Sequence, residues 1–220
     1  VFEGKRLKLF KKIFSGLSVL LLAACTTPTH MSDSDAKFEA TRSGGSGLLV
    51  GSVVENFLTQ PHGLYVLFFN ENTGKREAAL STYDRGLMSQ PNDILEAHRV
   101  GKYFALEIPA GKYSIKEWGY RFFEGQSTPK EVYPTYNVES GKATYVGRIH
   151  ADALPMLMRV EGDSKKSDLV EIKNKYNLNG IDIIDGCSSL GLEWWQHTDT
   201  DLENRIVKSY LEKYPSATCQ

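Results

Sequence analysis

Three cysteines, five histidines, a run of carboxylates near the C-terminus and an adjacent tryptophan pair are the residues of this chain whose types invite chemistry. Histidines 30, 62, 98, 150 and 197 show neither i, i+4 pairing nor another metal-ligand spacing, so they read as separate surface or core side chains and no metal site is expected. Asp182, Asp185, Asp199 and Asp201 are close in sequence but lack the Asp-x-Asp-x-Asp-Gly order of a calcium loop, and solvated loop charges account for them. Gly186-Cys187-Ser188-Ser189-Leu190-Gly191 approaches the nucleophile elbow Gly-x-Ser-x-Gly. With Ser188 at the centre, position 190 is leucine; with Ser189 there, position 187 is cysteine. Neither frame fits. Trp194 and Trp195, beside His197, could stack on a sugar or a peptide; on an extended segment they point opposite ways, one inward and one toward a partner or ligand. Trp118, Tyr120, Phe122 and Phe123 read as strand packing.

The elements that would position these residues begin with an export signal. Lys5, Arg6, Lys8, Lys11 and Lys12 precede an apolar stretch from Ile13 to Ala24, the charge-then-apolar order of a secretory signal. The stretch falls short of the roughly 20 apolar residues that span a bilayer. It ends in Leu22-Ala23-Ala24-Cys25, which resembles the lipobox of bacterial lipoproteins. That resemblance implies cleavage after residue 24 and attachment of diacylglycerol, with acyl chains such as palmitate, to Cys25. Each buried methylene contributes about 0.8 kcal/mol, so two or three chains hold a protein on its membrane. Thr26, in place of the aspartate that retains such proteins at the inner membrane, implies the outer membrane, at its periplasmic face or surface.

Residues 1–24 carry five basic and one acidic side chains; with a net charge of −1 for the whole chain, the remaining 196 residues stand near −5. A mildly acidic domain does not suit nucleic acid, which asks for a basic stripe. In an exported chain the two cysteines left beside Cys25, Cys187 and Cys219, are expected to form a disulfide worth about 3–4 kcal/mol in the chain-entropy model. A reactive thiol is the alternative.

Residues 25–47 are small and polar, ending in Ser43-Gly44-Gly45-Ser46-Gly47, and read as a flexible tether with an end-to-end distance of roughly 25 Å. Strand signals follow over 48–161. Leu48 to Glu55 alternates, Leu64 to Phe69 is continuously apolar, and Arg76 to Thr82 is a weaker strand. Residues 83–100 read as a long loop with a helical turn near Asp93–Ala97. Tyr103–Ile108 and Lys112–Ile115 flank the turn Pro109-Ala110-Gly111, and the alternation slips at Lys116-Glu117-Trp118, where a bulge would restore register. Pro134 confines 132–138 to an edge; 143–149 alternates through Gly147, and Met156–Val160 closes the series.

Short strands at these intervals predict an antiparallel β-sandwich of about seven or eight strands. Gly101-x-Tyr103-x-x-Leu106-x-Ile108-Pro109-Ala110-Gly111-x-Tyr113 resembles the hairpin of carboxypeptidase-regulatory-like, transthyretin-type sandwiches, and 138–147 is similar to their closing strands. The resemblance covers about residues 48–160 and implies no catalytic residue. Residues 162–220 predict a two-helix extension. Asp168 and Glu171 would cap a helix with Leu169, Ile172 and Tyr176 on one face, ended by Asn179-Gly180. Ile181–Ile184 suits a short strand, and Thr200-x-x-Glu203 opens the second helix.

These readings converge on a lipid-anchored envelope protein without cofactor or catalytic residues, serving as a binding or structural module for an envelope protein partner. The alternatives are a glycan or small-ligand binder using Trp194 or Trp195 and, third, an envelope hydrolase of unrecognised type. A protein-binding role predicts an exposed apolar patch.

Overall fold

The computed structural model describes residues 45–83, 92–123, 127, 129–193, 205, 208–210, 212–213 and 219. The signal and lipobox with Cys25, the tether up to residue 44, Trp194, Trp195, and the Thr200–Glu203 box lie outside the described residues. The described chain is mainly β, with two sheets whose strands are mostly antiparallel. In order the strands are β1 (Ser46–Asn56), β2 (Leu64–Asn70), β3 (Arg76–Ser81), β4 (Ile94–Glu96), β5 (Arg99–Pro109), β6 (Gly111–Tyr120), β7 (Tyr136–Val138), β8 (Ala143–Asp152) and β9 (Leu157–Glu161). Helix α1 (Lys165–Tyr176), β10 (Ile183–Asp185) and β11 (Leu190–Glu193) follow. The larger sheet runs β11-β9-β8-β1-β5-β4, with β10 also on β8; the smaller runs β3-β2-β6-β7.

Alternation explains why the two sheets close on each other. Leu49 and Val53 of β1, Phe104, Leu106 and Ile108 of β5, and Val146 and Ile149 of β8 meet Val66 and Phe68 of β2 and Tyr113, Ile115 and Trp118 of β6 in one core. Fully burying such a side chain contributes about 1.5–3 kcal/mol. The residues of opposite parity in the large sheet, Leu48, Val50, Ala105 and Tyr145, form a second cluster with Ile172 and Leu178, flanked by Leu169 and Tyr176. So α1 covers the outer face of the large sheet with the apolar stripe expected of it.

Two bulges set the register. At Lys116 of β6, Leu67 opposes Glu117 while Phe68 opposes Ile115, the slip expected from the sequence. The second overturns the even alternation read through Gly147. β1 and β8 are parallel, and Val50 faces Tyr145 while Ser52 faces Arg148, so β8 carries an extra residue. Gly147 takes φ +104°, where a Cβ would sit 2.8 Å from both Cys187 Sγ and the Glu161 carbonyl oxygen. Tyr145 therefore points to α1 and Ile149 to the core, which strict alternation would not allow. Beyond this point the outer edge of β8 changes partner: residues 143–145 pair with β10 and 148–152 with β9.

Other local expectations change as well. The helical turn expected at Asp93–Ala97 is instead strand β4, because β5 offers it a hydrogen-bonding edge from Arg99 to Gly101. Asp93 accepts a hydrogen bond from the Tyr103 backbone N–H at 2.9 Å. Asp168 does not cap α1. Ser164 holds the N-cap position, and Asp168 lies in the first turn, fully buried against the sheet. The helix ends at Asn177, in the left-handed conformation, rather than at Asn179-Gly180. Strand β11 adds an edge to the large sheet within the stretch 162–220 that was expected to be a helical extension, paired antiparallel with β9.

Candidate functional site

The chain enters β1 at one end of the sandwich. Ala110 N–H bonds to the Gly45 carbonyl at 2.7 Å and Gly141 N–H to that of Ser46 at 2.9 Å, so the turns 109–111 and 139–142 share this end. Eleven extended residues carry β1 about 33 Å to the opposite end. There Asn56 pairs with Arg99 on one side and Asp152 on the other.

Five segments converge at that far end. Phe57 N–H bonds to His98 O, Ala153 N–H to Asn56 O, Thr82 N–H to Leu64 O and Arg121 N–H to Gly63 O. The rings continue the contact. His62 lies edge-on to Phe123 at 4.7 Å and to Tyr120 at 5.6 Å, and Tyr83 lies edge-on to Phe122 at 5.4 Å. The Arg121 guanidinium sits 4.4 Å from the Tyr83 ring centre, a cation–π arrangement. Around these contacts Leu58 is 63% exposed, Phe122 61%, Phe123 42% and Leu154 60%. Apolar side chains this open, gathered at one end of the two sheets, offer a candidate interaction surface.

Glu55, the penultimate residue of β1, is fully buried and builds the first of these loops. Its carboxylate accepts hydrogen bonds from the His62 backbone N–H, from Leu64 N–H at 3.1 Å and from Thr82 Oγ1 at 2.7 Å. One acid thus ties the 57–63 crossover to the end of β3. A second polar cluster fixes the turn that carries Leu154. Asp152 lies 3.4 Å from Arg159, Arg159 lies 3.3 Å from Glu161, and Glu161 lies 3.3 Å from His150. Asn56 donates to Asp152 at 2.8 Å and accepts from Arg99 at 2.9 Å, which locks β5, β1 and β8 together. Arg159 also lies 5.7 Å from the Tyr210 ring centre. The carboxylates of this cluster face cationic partners, so its charges orient one another.

The third cluster holds α1. Asp168 accepts from Ser52 Oγ at 2.6 Å, from the Tyr145 hydroxyl at 3.2 Å and from Arg148. Burial pushes the Tyr145 phenol up, and the Asp168 charge pushes it further, so it stays protonated and donating. Ser52 also accepts from Arg148 Nε at 3.2 Å; its neighbours are an acid and a guanidinium, and they fix the hydroxyl in place.

Of the residues singled out in the sequence, Cys187 and Cys219 lie together as a disulfide with Cα atoms 5.4 Å apart. Cys25, Trp194 and Trp195 lie outside the described residues; Glu193, directly before the tryptophans, pairs with Leu157 near the Leu154 turn. His62 and His98 belong to the loop end, and His150 to the buried cluster. Among the aromatics read as strand packing, Trp118 and Tyr120 are buried, but Phe122 and Phe123 fall beyond the end of β6 and are exposed. The signal was present: two consecutive phenylalanines break the alternation of 118, 120 and 122.

No family model and no curated protein matches the chain. A leucine-rich repeat protein from Bacteroides thetaiotaomicron VPI-5482 aligns in structure with 49% of this chain at 12% identity and a TM-score of 0.30. The aligned part is 14% of that protein's length, and a likeness this slight carries no inference.

Proposed function

We propose that the chain is a lipid-anchored protein of the bacterial cell envelope, held by Cys25, whose β-sandwich serves as a non-catalytic binding module for an envelope protein partner. The observation that carries this reading is the polarity of β1. The lipobox and the tether precede β1, which takes in the last two tether residues, Ser46 and Gly47, and the loops with Leu58, Phe122, Phe123 and Leu154 gather at its other end, about 33 Å away. An anchor at one end and an apolar patch at the other is the arrangement of a protein that holds a partner above a membrane. The Asp152–Arg159–Glu161 and Glu55 clusters support it, since they stiffen the loops and reduce the entropy lost on association.

The test combines palmitate labelling with affinity isolation of the chain from crosslinked cells. Labelling should vanish in Cys25→Ser, and a stoichiometric envelope protein should be retained by the parent chain but lost from a Phe122→Ala/Phe123→Ala variant. Labelling that persists in Cys25→Ser refutes the anchor; a partner retained equally by the double variant refutes the loop end as its site.

A further inference from the structure

The outer face of the small sheet carries a hollow of about 300 Å³ lined by Tyr65, Lys116, Glu117, Ser127, Pro129 and Tyr133. Its size lies at the lower end of small-ligand clefts, roughly 300–1,000 Å³. Several features show that the hollow is shaped by design of the strand beneath it. In a regular pleat Lys116 and Glu117 would point to opposite faces. The bulge at Lys116 inserts an extra residue opposite β2 and re-aims its side chain, so both residues line the same hollow. Ser127 fastens the overlying loop to this bulge, accepting from Trp118 N–H at 3.4 Å and donating to the Lys116 carbonyl at 3.2 Å. The Tyr133 hydroxyl accepts from Lys130 N–H at 2.9 Å, which holds the ring.

The charges are also in place before any ligand arrives. The Lys116 ammonium lies 3.0 Å from Glu71 and 5.8 Å from the centre of the Tyr133 ring. A hydrogen bond from Ser114 holds the Glu71 carboxyl below its usual range, and Lys116 reinforces this. The formal charges of Lys116, Glu71, Glu117 and the nearby Arg76 sum to zero, so the site carries no excess charge that calls for an ionic ligand. What it does present is two half-buried tyrosine rings, a donor that keeps protons to give, and an exposed carboxylate that accepts. The complement is an uncharged ligand with an apolar C–H face and hydroxyls around its rim. We infer that this hollow is a binding site for a neutral saccharide of one or two rings, stacked between Tyr65 and Tyr133 and hydrogen-bonded by Lys116 and Glu117. The site uses the sheet face rather than the loop end, and it stands whether or not a protein occupies those loops.

The experiment is saturation-transfer NMR on the full chain in micelles of lauryldimethylamine oxide, a detergent without sugar, with N,N′-diacetylchitobiose, cellobiose and maltose as probes. Ring protons of at least one disaccharide should receive saturation. Its affinity should weaken by about tenfold or more in Tyr133→Ala and in Tyr65→Ala, hold in Tyr65→Phe, and hold in Phe122→Ala. Tyr133 lies in a loop, so its variant tests the site without disturbing a strand. Absence of transfer from all three sugars at millimolar concentration overturns the inference. So does transfer unchanged in both tyrosine-to-alanine variants, or transfer lost in Phe122→Ala alone.

Discussion

Replacing Glu55 links the stability of the sandwich to the order of its loop end. The buried carboxylate receives three donors, the backbone N–H groups of His62 and Leu64 and the Thr82 hydroxyl. In Glu55→Gln one oxygen remains for His62, and the Thr82 hydroxyl can rotate to accept from the new amide. Leu64 N–H is then left facing a donor at a fully buried position. One unsatisfied buried donor costs about 1–3 kcal/mol, so Glu55→Gln should destabilise by about 2 kcal/mol. Glu55→Ala, which strands all three donors, should cost more. Urea unfolding followed by tryptophan fluorescence, to which the fully buried Trp118 contributes, reads the free energy. Hydrogen exchange at the His62 and Leu64 amides reads the loop, and both amides should lose protection in the glutamine variant. Two variants within about 0.5 kcal/mol of the parent, the ordinary range for inert surface changes, with both amides still protected, would refute Glu55 as the organiser of this end.

Other consequences are as direct. Asp168→Ala leaves Arg148, whose side chain is 19% exposed, without its carboxylate, and leaves the Ser52 and Tyr145 hydroxyl protons without their acceptor under α1. It should cost about 3 kcal/mol in urea unfolding, the lower end for a broken buried pair because some solvent reaches the cation; a negligible change contradicts this. Replacing both Cys187 and Cys219 by serine should cost about 3–4 kcal/mol for a separation of 32 residues. Peptide mapping without reductant should recover the two cysteines joined, and two alkylatable thiols in the native chain would reject the bridge. Burial raises the Glu161 carboxyl, but the hydrogen bond and charge of His150, with Arg159 and Arg148, more than reverse this and leave it lowered. A lowered carboxylate contributes stability that is full above its unfolded value near 4.3 and is lost as pH falls through its folded value. Melting temperature should therefore drop more steeply below about pH 4.3 in the parent than in Glu161→Gln; equal slopes would contradict the pairing.

Much of the sheet framework was legible because side-chain period reports burial directly. Leu49 and Val53, or Phe104, Leu106 and Ile108, could hardly face anything but a core. The Lys116 bulge was legible for the same reason, since Tyr113, Ile115 and Trp118 cannot share one face without it. The Gly147 bulge was hidden, because a glycine fits either parity and nothing in 143–149 betrays the inserted residue. Strands β4 and β11 are three and four residues long and owe their form to the edges of β5 and β9, which no local pattern records. Asp168 resembled a cap because caps and buried first-turn acids share a residue type; only the sheet beneath supplies Ser52, Tyr145 and Arg148. The loop end was the least legible feature. Leu58, Tyr83, Phe122 and Leu154 are brought to one end by sheet order and crossovers, and each alone is an ordinary loop residue.

The most direct measurement is photocrosslinking in living cells with a benzophenone amino acid placed at Phe122, at Leu58, or at Thr73 in the turn of the tethered end. A binding module presented by its loops predicts one discrete adduct, shared by positions 122 and 58, absent at 73, and lost when Phe123 is replaced by alanine. An adduct that forms at Thr73 but at neither loop position would place the partner at the wrong end and contradict the proposed role.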